Sequence, residues 1–496
     1  MQPVSSLDAA LLYAETAQMP LHTLGVIVLD APVGFRGSPF ATMEKLFRER
    51  IHQVGPFRRR LVDGPVGLGD PHWIEDPRFD LANHLLEVEL PQPRGLRELA
   101  AFVGEYAGRL LDRRKPLWEM VLIPRLGRRK VAVVSKIHHA AMDGGRLVAL
   151  IHQLFDEAPS GSRAPLPDQP WIPDSEPSPA WLVADTARAL ATRPWHAVRA
   201  IAEVTESMLE RGQAAHPPHE SRAGEAEPGT EPAAKLFEAP PTPFNRALTA
   251  HRSVAFADVP FRDLAGIKEA FGTTINDVVL AASCASLRAW LLAHGGLPER
   301  SLVANVPVTV RAAHGADGDV GNRVSMILAH LPVTSEDPVG RLLAIHAETH
   351  RAKERHGGSG GDVLRRFTDL VTSLASPWLL THVVQLYSAS HLADWMPVFW
   401  NLVISNLPGP ATPLYCAGGT VTRIYPLGPV QQGSGLNLTV MSVADRLCLG
   451  AMACTELVPD VDSIVAGFAD EIAVLKRLAP RRTRREARSR SARRAA

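Results

Sequence analysis

Two adjacent histidines, His138 and His139, sit in the stretch KIHHAAMDGGR (Lys136 to Arg146), with Asp143 and Gly144 four and five residues after the second. An imidazole that titrates near neutrality is the natural general base for taking a proton from a hydroxyl. Neighbouring side chains of an extended strand point to opposite faces, so one histidine faces a cleft while the other is held in the structure. Asp143-Gly144 suits a turn, the carboxylate bonding to backbone and the glycine permitting the bend. Asp143 could instead meet an arginine, and Arg311, after NVPVTV, is one candidate. Other chemistries have less support. A metal site built on His and Asp lacks a third ligand motif, so no metal is expected. No GxSxG elbow is present, and none of Cys284, Cys416, Cys448 and Cys454 sits in a nucleophile motif or in CxxC spacing. Taken alone, the seven-residue pattern fits equally a turn in which the pair satisfies backbone groups.

The elements that must position these residues read as mixed α/β. Leu117–Ile123 and Val131–Ile137 are β-rich runs, and helical spacing resumes after Gly144-Gly145, which puts the histidines at a strand-to-helix junction. Leu96, Leu99, Val103, Tyr106 and Leu110 form one face of a preceding helix. From Ala158 to about Pro243 the chain turns Pro-, Ser- and Gly-rich around one or two helices broken near Pro194, an interdomain linker, part ordered and part disordered. Beyond it, helices are expected over Phe261–Phe271 and Ile275–Ala293, a strand over Leu302–Val310, a hairpin around Ala444-Asp445-Arg446 and a last helix after Asp460. The organisation is therefore residues 1–157, a first half with the histidines; 158–243, a linker; 244–479, a second half; and 480–496, a tail. A cleft between two halves is a common place for a site.

The net charge of +1 conceals an asymmetry, because Pro480 to Ala496 carries eight arginines and one glutamate, a net of +7 that leaves the rest at −6. Such a tail has no apolar face to bury and is expected to be disordered; it could attract anionic lipid. The N-terminal stretch lacks a basic n-region and carries Asp8 and Glu15, so it does not read as a signal peptide. Widely spaced cysteines fit a reducing cytoplasm. From Val371 to Ala444 only Asp394 and Arg423 are charged, yet prolines interrupt the run, so it reads as a buried half-domain with an apolar interior rather than a spanning helix.

HHxxxDG in a two-half α/β chain resembles the CoA-dependent acyltransferase superfamily with its chloramphenicol-acetyltransferase-like fold, and more narrowly the bacterial wax ester synthase/acyl-CoA:diacylglycerol acyltransferase family. The resemblance covers most of the chain: SSLDAALLYAETAQMPLH (Ser5 to His22), PFRRRL, FDLANHL, the PLW element at Pro116, Leu117 and Trp118, KIHHAAMDG, TPFN (Thr242 to Asn245), Asn276-Asp277, NVPVTVR, GNRVSM and SNLPGP. It implies two such halves with an active-site tunnel between them. His139 would be the general base, His138, Asp143 and Gly144 would support the motif, and Pro116, Leu117 and Trp118 would support the acyl-binding region. Asn276 and Asp277 would be structural. The implied reaction esterifies diacylglycerol, or a long-chain alcohol, with acyl-CoA as substrate, no separate cofactor and no covalent acyl-enzyme. Implied surroundings are the cytoplasm, the inner membrane or lipid inclusions, with peripheral membrane or lipid-droplet contact; nucleic acid is not an expected partner. Two other readings are a condensation-type acyltransferase fed by a carrier protein, and a lipid-binding protein without the chemistry.

Overall fold

The computed structural model describes residues 1–31, 37–142, 153–159, 171–193, 195, 238–309, 324–355, 375–410, 412–416 and 418–480. In chain order the first half supplies β1 (Gln2–Pro3), α1 (Ser6–Ala14), β2 (His22–Asp30), α2 (Pro39–Arg50), β3 (Arg59–Val62), β4 (His72–Glu75), β5 (Leu85–Glu87), α3 (Leu96–Ala107), β6 (Trp118–Leu126) and β7 (Lys130–His138). Residues 179–193 form α4, within the stretch read as linker. The second half supplies β8 (Arg252–Pro260), α5 (Phe261–Phe271), α6 (Ile275–Ala293), β9 (Leu302–Thr309), β10 (Val324–Leu331), α7 (Pro338–Arg355), α8 (Pro377–Ala389), β11 (Leu402–Leu407), β12 (Tyr415–Cys416), β13 (Gly419–Leu427), β14 (Leu436–Val443), β15 (Arg446–Cys454) and α9 (Val461–Leu478).

Among the described residues two six-stranded sheets organise the fold, in the orders β12-β13-β2-β7-β6-β5 and β10-β9-β11-β14-β15-β8. Both are mixed: β5 runs parallel to β6, and β11 parallel to β9 and β14, among otherwise antiparallel pairs. A third, three-stranded sheet, β1-β4-β3, shares an apolar cluster with α1 through Leu12, Tyr13, Leu61 and Trp73. The halves are not separate sheets in sequence order. β13 comes from the second half yet pairs with β2 from Thr420↔Asp30 to Leu427↔Leu24, covering an edge that β2 would otherwise leave open.

The expected hairpin is present, with β14 and β15 antiparallel across the two-residue turn Ala444-Asp445. α6 is long and apolar enough to cross a membrane, but it is two-thirds buried and serves as a core helix against α9. Two expectations need correcting. The helix through Leu99, Val103 and Tyr106 ends at Ala107, leaving Leu96 and Leu110 exposed rather than on its buried face. The charge-poor run from 371 to 444 is not uniformly interior: its strands are buried in both sheets, whereas α8 turns Trp378, Val383 and Leu386 to solvent.

Candidate active site

His138 ends β7 and His22 begins β2; the two stand opposite each other in the antiparallel register. The ladder continues one residue further, His139 donating its backbone N–H to Leu21 O at 2.9 Å. On the other side His138 donates its N–H to Leu117 O at 3.0 Å. The histidine pair is thus clamped between the starts of two neighbouring strands, one of them the PLW element. Trp118 fixes that element: its indole N–H donates to Phe57 O at 2.9 Å, and its ring stacks on Phe57 and His84 at 4.2 and 4.5 Å.

His138 is fully buried, and its Nδ1 accepts the backbone N–H of Ala140 at 3.0 Å. A backbone amide only donates, so in the neutral ring the proton sits on Nε2. That nitrogen faces Glu15 Oε1 at 3.3 Å, and His22 Nε2 faces the same oxygen at 3.0 Å. Ala141 N–H donates to His138 O at 2.9 Å, so the imidazole and carbonyl of His138 together shape the bend that follows His139. Alternation along β7 puts Lys136 and His138 on one sheet face, and Ser135, Ile137 and His139 on the other. His139 is half-buried there. The same face lines a small apolar cavity of about 30 Å³ with Gly25 and Ser135 from the sheet and Met43 and Phe47 from α2.

The buried side of the site is a charge cluster. Burial opposes ionisation of Glu15, but the close approach of the His138 and His22 imidazoles outweighs it and holds the carboxyl well below the usual range. The Arg113 guanidinium adds an ion pair at 2.9 Å. Burial pushes His22 down to about 4, so it stands neutral beside the carboxylate. Lys136 is 1% exposed; its ammonium donates to Tyr106 O at 3.0 Å and to Arg109 O, closing the C-terminal end of α3. Burial pushes it down to about 8. Glu15, His22 and His138 offer three ligand atoms within 4.8 Å of one another, a grouping that forms no motif in the sequence. The Arg113 guanidinium holds one carboxylate oxygen, and the two imidazoles face the other without completing a hydrogen bond to it.

Asp143, Gly144 and Arg311 lie outside the described residues. Asn276 and Asp277 are in the first turn of α6, remote in role from the histidines. Asp277 completes a capping box with Thr274 and binds His346 at 2.7 Å and Thr349 at 2.6 Å, tying α6 to α7. Sequence reasoning missed Glu15, His22, Arg113 and Lys136. Glu15 and His22 fall within the quoted N-terminal stretch, but a seven-residue separation across a loop carries no periodic signal.

The segment between Glu15 and His22 is also the seam between halves. Thr16 Oγ1 is 3.1 Å from Ser388 Oγ, Gln432 Nε2 donates to the same hydroxyl at 2.7 Å, and Arg252 donates to Gln18 O. Here the first half meets helix α8 and the start of β8 of the second half.

Comparison with known proteins bears on the family and the fold. Residues 4–279 match the model of the wax ester synthase/diacylglycerol acyltransferase catalytic domain, and residues 320–476 match the C-terminal domain of the same family. A Mycobacterium tuberculosis protein named as a putative diacylglycerol O-acyltransferase is 34% identical over 95% of this chain and 89% of its own. A wax ester synthase/diacylglycerol acyltransferase from Marinobacter aquaeolei VT8 superposes with a TM-score of 0.66 at 27% identity, covering 96% of this chain and 99% of that one. The starter condensation domain of rhizomide synthetase, solved with C8-CoA, shares the fold at a TM-score of 0.52 and 15% identity, covering 96% and 94%.

Proposed function

The chain belongs to the wax ester synthase/diacylglycerol acyltransferase family, and from that premise we propose that it esterifies diacylglycerol with the acyl group of acyl-CoA, with His139 as general base; long-chain alcohols are the second acceptor. The observation that carries the reading is the division of labour between the histidines. His138 is fully buried with its Nδ1 accepting the Ala140 N–H, while His139 is half-buried and, by strand alternation, turned to the other face, and it is the member we assign to the acceptor.

A thioester is already an activated donor, so one ternary complex suffices. His139 takes the hydroxyl proton as the acceptor oxygen bonds to the thioester carbonyl carbon. The C–S bond then breaks, and the imidazolium returns the proton to the departing thiolate, giving ester and free CoA. General-base help of this kind contributes about 10² to 10⁴ in rate, the remainder coming from positioning and electrostatics.

Incubating the protein with palmitoyl-CoA and either diolein or hexadecanol, followed by identification of the lipid products, tests the acceptor. Triacylglycerol as the faster-formed product is the expected result. Wax ester alone would reassign the acceptor, and transfer only from a carrier-protein thioester would overturn the CoA reading.

A further inference from the structure

Helix α8 is apolar on both sides, which is unusual for a helix at a protein surface. Its inner side is accounted for: Pro377 and Ser388 are buried, and Leu380 and Val384 pack against the apolar clusters of the first half. Its outer side carries Trp378, Leu379, Val383 and Leu386, exposed by 49%, 45%, 54% and 70%. At 100° per residue these four occupy an arc of about 140°. The helix, PWLLTHVVQLYSA, contains no charged side chain. Just beyond it Trp395 is 86% exposed and Met396 42%. Taking up to about 250 Å² for a whole tryptophan, the two indoles alone leave on the order of 300 Å² of surface open. The largest apolar patch of an ordinary monomer is about 300–600 Å² in total. By contrast α9, also a surface helix, interrupts its outer side with Asp462, Asp470, Lys476 and Arg477.

We propose that the outer face of α8, with Trp395 and Met396, is a docking surface for a phospholipid bilayer. An apolar arc that begins at Trp378 and is broken only by exposed His382, whose ring packs on Trp378, matches the interfacial zone, where an indole places its body in hydrocarbon and its N–H among headgroups. Charge complementarity points the same way. The seventeen residues 480–496 carry a side-chain net of +7, suited to anionic headgroups, while the helix α8 itself carries no charged side chain and Asp394 is the acid nearest Trp395 in the chain. The inner side of α8 meets the seam between the halves, because Ser388 meets Thr16, the residue after Glu15. A bilayer seated on the outer side would therefore lie beside the seam, and we take this as the side from which a membrane-dissolved acceptor enters. That last point rests on the acyltransferase reading; the docking itself does not.

The test is co-sedimentation of the full chain with vesicles of phosphatidylcholine, alone or mixed with phosphatidylglycerol, compared with the surface variant W378S/L386S/W395S. All three side chains are solvent-facing, and thermal unfolding together with gel-filtration elution confirms that the variant folds. The expected result is binding by the intact chain, tighter with phosphatidylglycerol and weakened by salt, and a partition coefficient at least about tenfold lower in the variant. Undiminished binding by the variant would overturn the proposal. So would a variant that binds vesicles normally but elutes as a smaller species, which would make the patch an interface between copies. If the intact chain binds neither vesicle yet forms ester from detergent-dispersed substrates, the docking proposal falls and the acyltransferase reading stands.

Discussion

At the scale of single residues, the buried cluster beneath the histidines makes the protein acid-sensitive in a defined window. His22 has an ordinary value of 6.5, and burial pushes it down to about 4 in the folded protein. Between those values the unfolded chain binds a proton that the folded chain does not, so stability falls as pH drops through this interval. For this group alone the loss amounts to about 3 kcal/mol. Glu15 acts in the same direction at lower pH: its carboxyl is held below the usual range, so its contribution is present above the unfolded value and lost as pH falls further. Thermal unfolding followed from about pH 7 down to about pH 4 is expected to show this slope in the intact protein and a flatter one in His22→Gln, whose amide cannot take up the proton. Equal slopes would mean that His22 is not the group responsible. None of this was legible in the sequence. The His pair announced itself by adjacency, but Glu15, His22 and Arg113 are gathered by the fold from a loop, a strand start and a segment nearly a hundred residues away.

At the scale of elements, most of what positions the site was readable. β6, β7, α5, α6 and the β14–β15 hairpin follow from β-branched runs, from helical spacing and from a tight turn. Each agrees with its local propensity, because these elements face two dry cores and carry apolar residues at the period of their own geometry. The errors fell at ends and surfaces. Leu110 continues the spacing of α3, yet the helix stops three residues earlier, where Lys136 closes its last carbonyls; a cap supplied by a distant strand leaves no local trace. The apolar outer face of α8 was read as interior because composition does not distinguish an interior from an uncovered surface. The PLW element acts here through Trp118, whose ring and indole N–H lock the strand start that holds His138. Trp118→Phe is therefore expected to keep most of the stacking but leave Phe57 O without its donor, costing about 1–3 kcal/mol by chemical denaturation. It should also lower kcat more than it raises KM for acyl-CoA, since the loss is in the placement of the histidine backbone. A variant with intact stability and unchanged kcat would remove Trp118 from this role.

At the scale of the whole molecule, two α/β halves were legible from the return of strand and helix patterns beyond a Pro- and Ser-rich linker. The exchange of β12 and β13 into the first half's sheet was not, because strand pairing between distant segments depends on which edge stays open after the local hairpins have formed. That exchange has a functional consequence. It fixes the second half against β2, the strand whose first residue, His22, faces His138, and so holds the seam together at the place where His139 emerges. The central claim is that this half-buried histidine, and not its buried neighbour, does the chemistry. The most direct test is release of CoA thiol from palmitoyl-CoA in the presence of diolein, with the ester product identified, for the intact protein and for His139→Ala. The account predicts that acceptor-dependent ester formation falls by a factor of about 10² or more while thermal unfolding and vesicle binding are unchanged. Ester formation at the intact rate in a folded His139→Ala variant would contradict it.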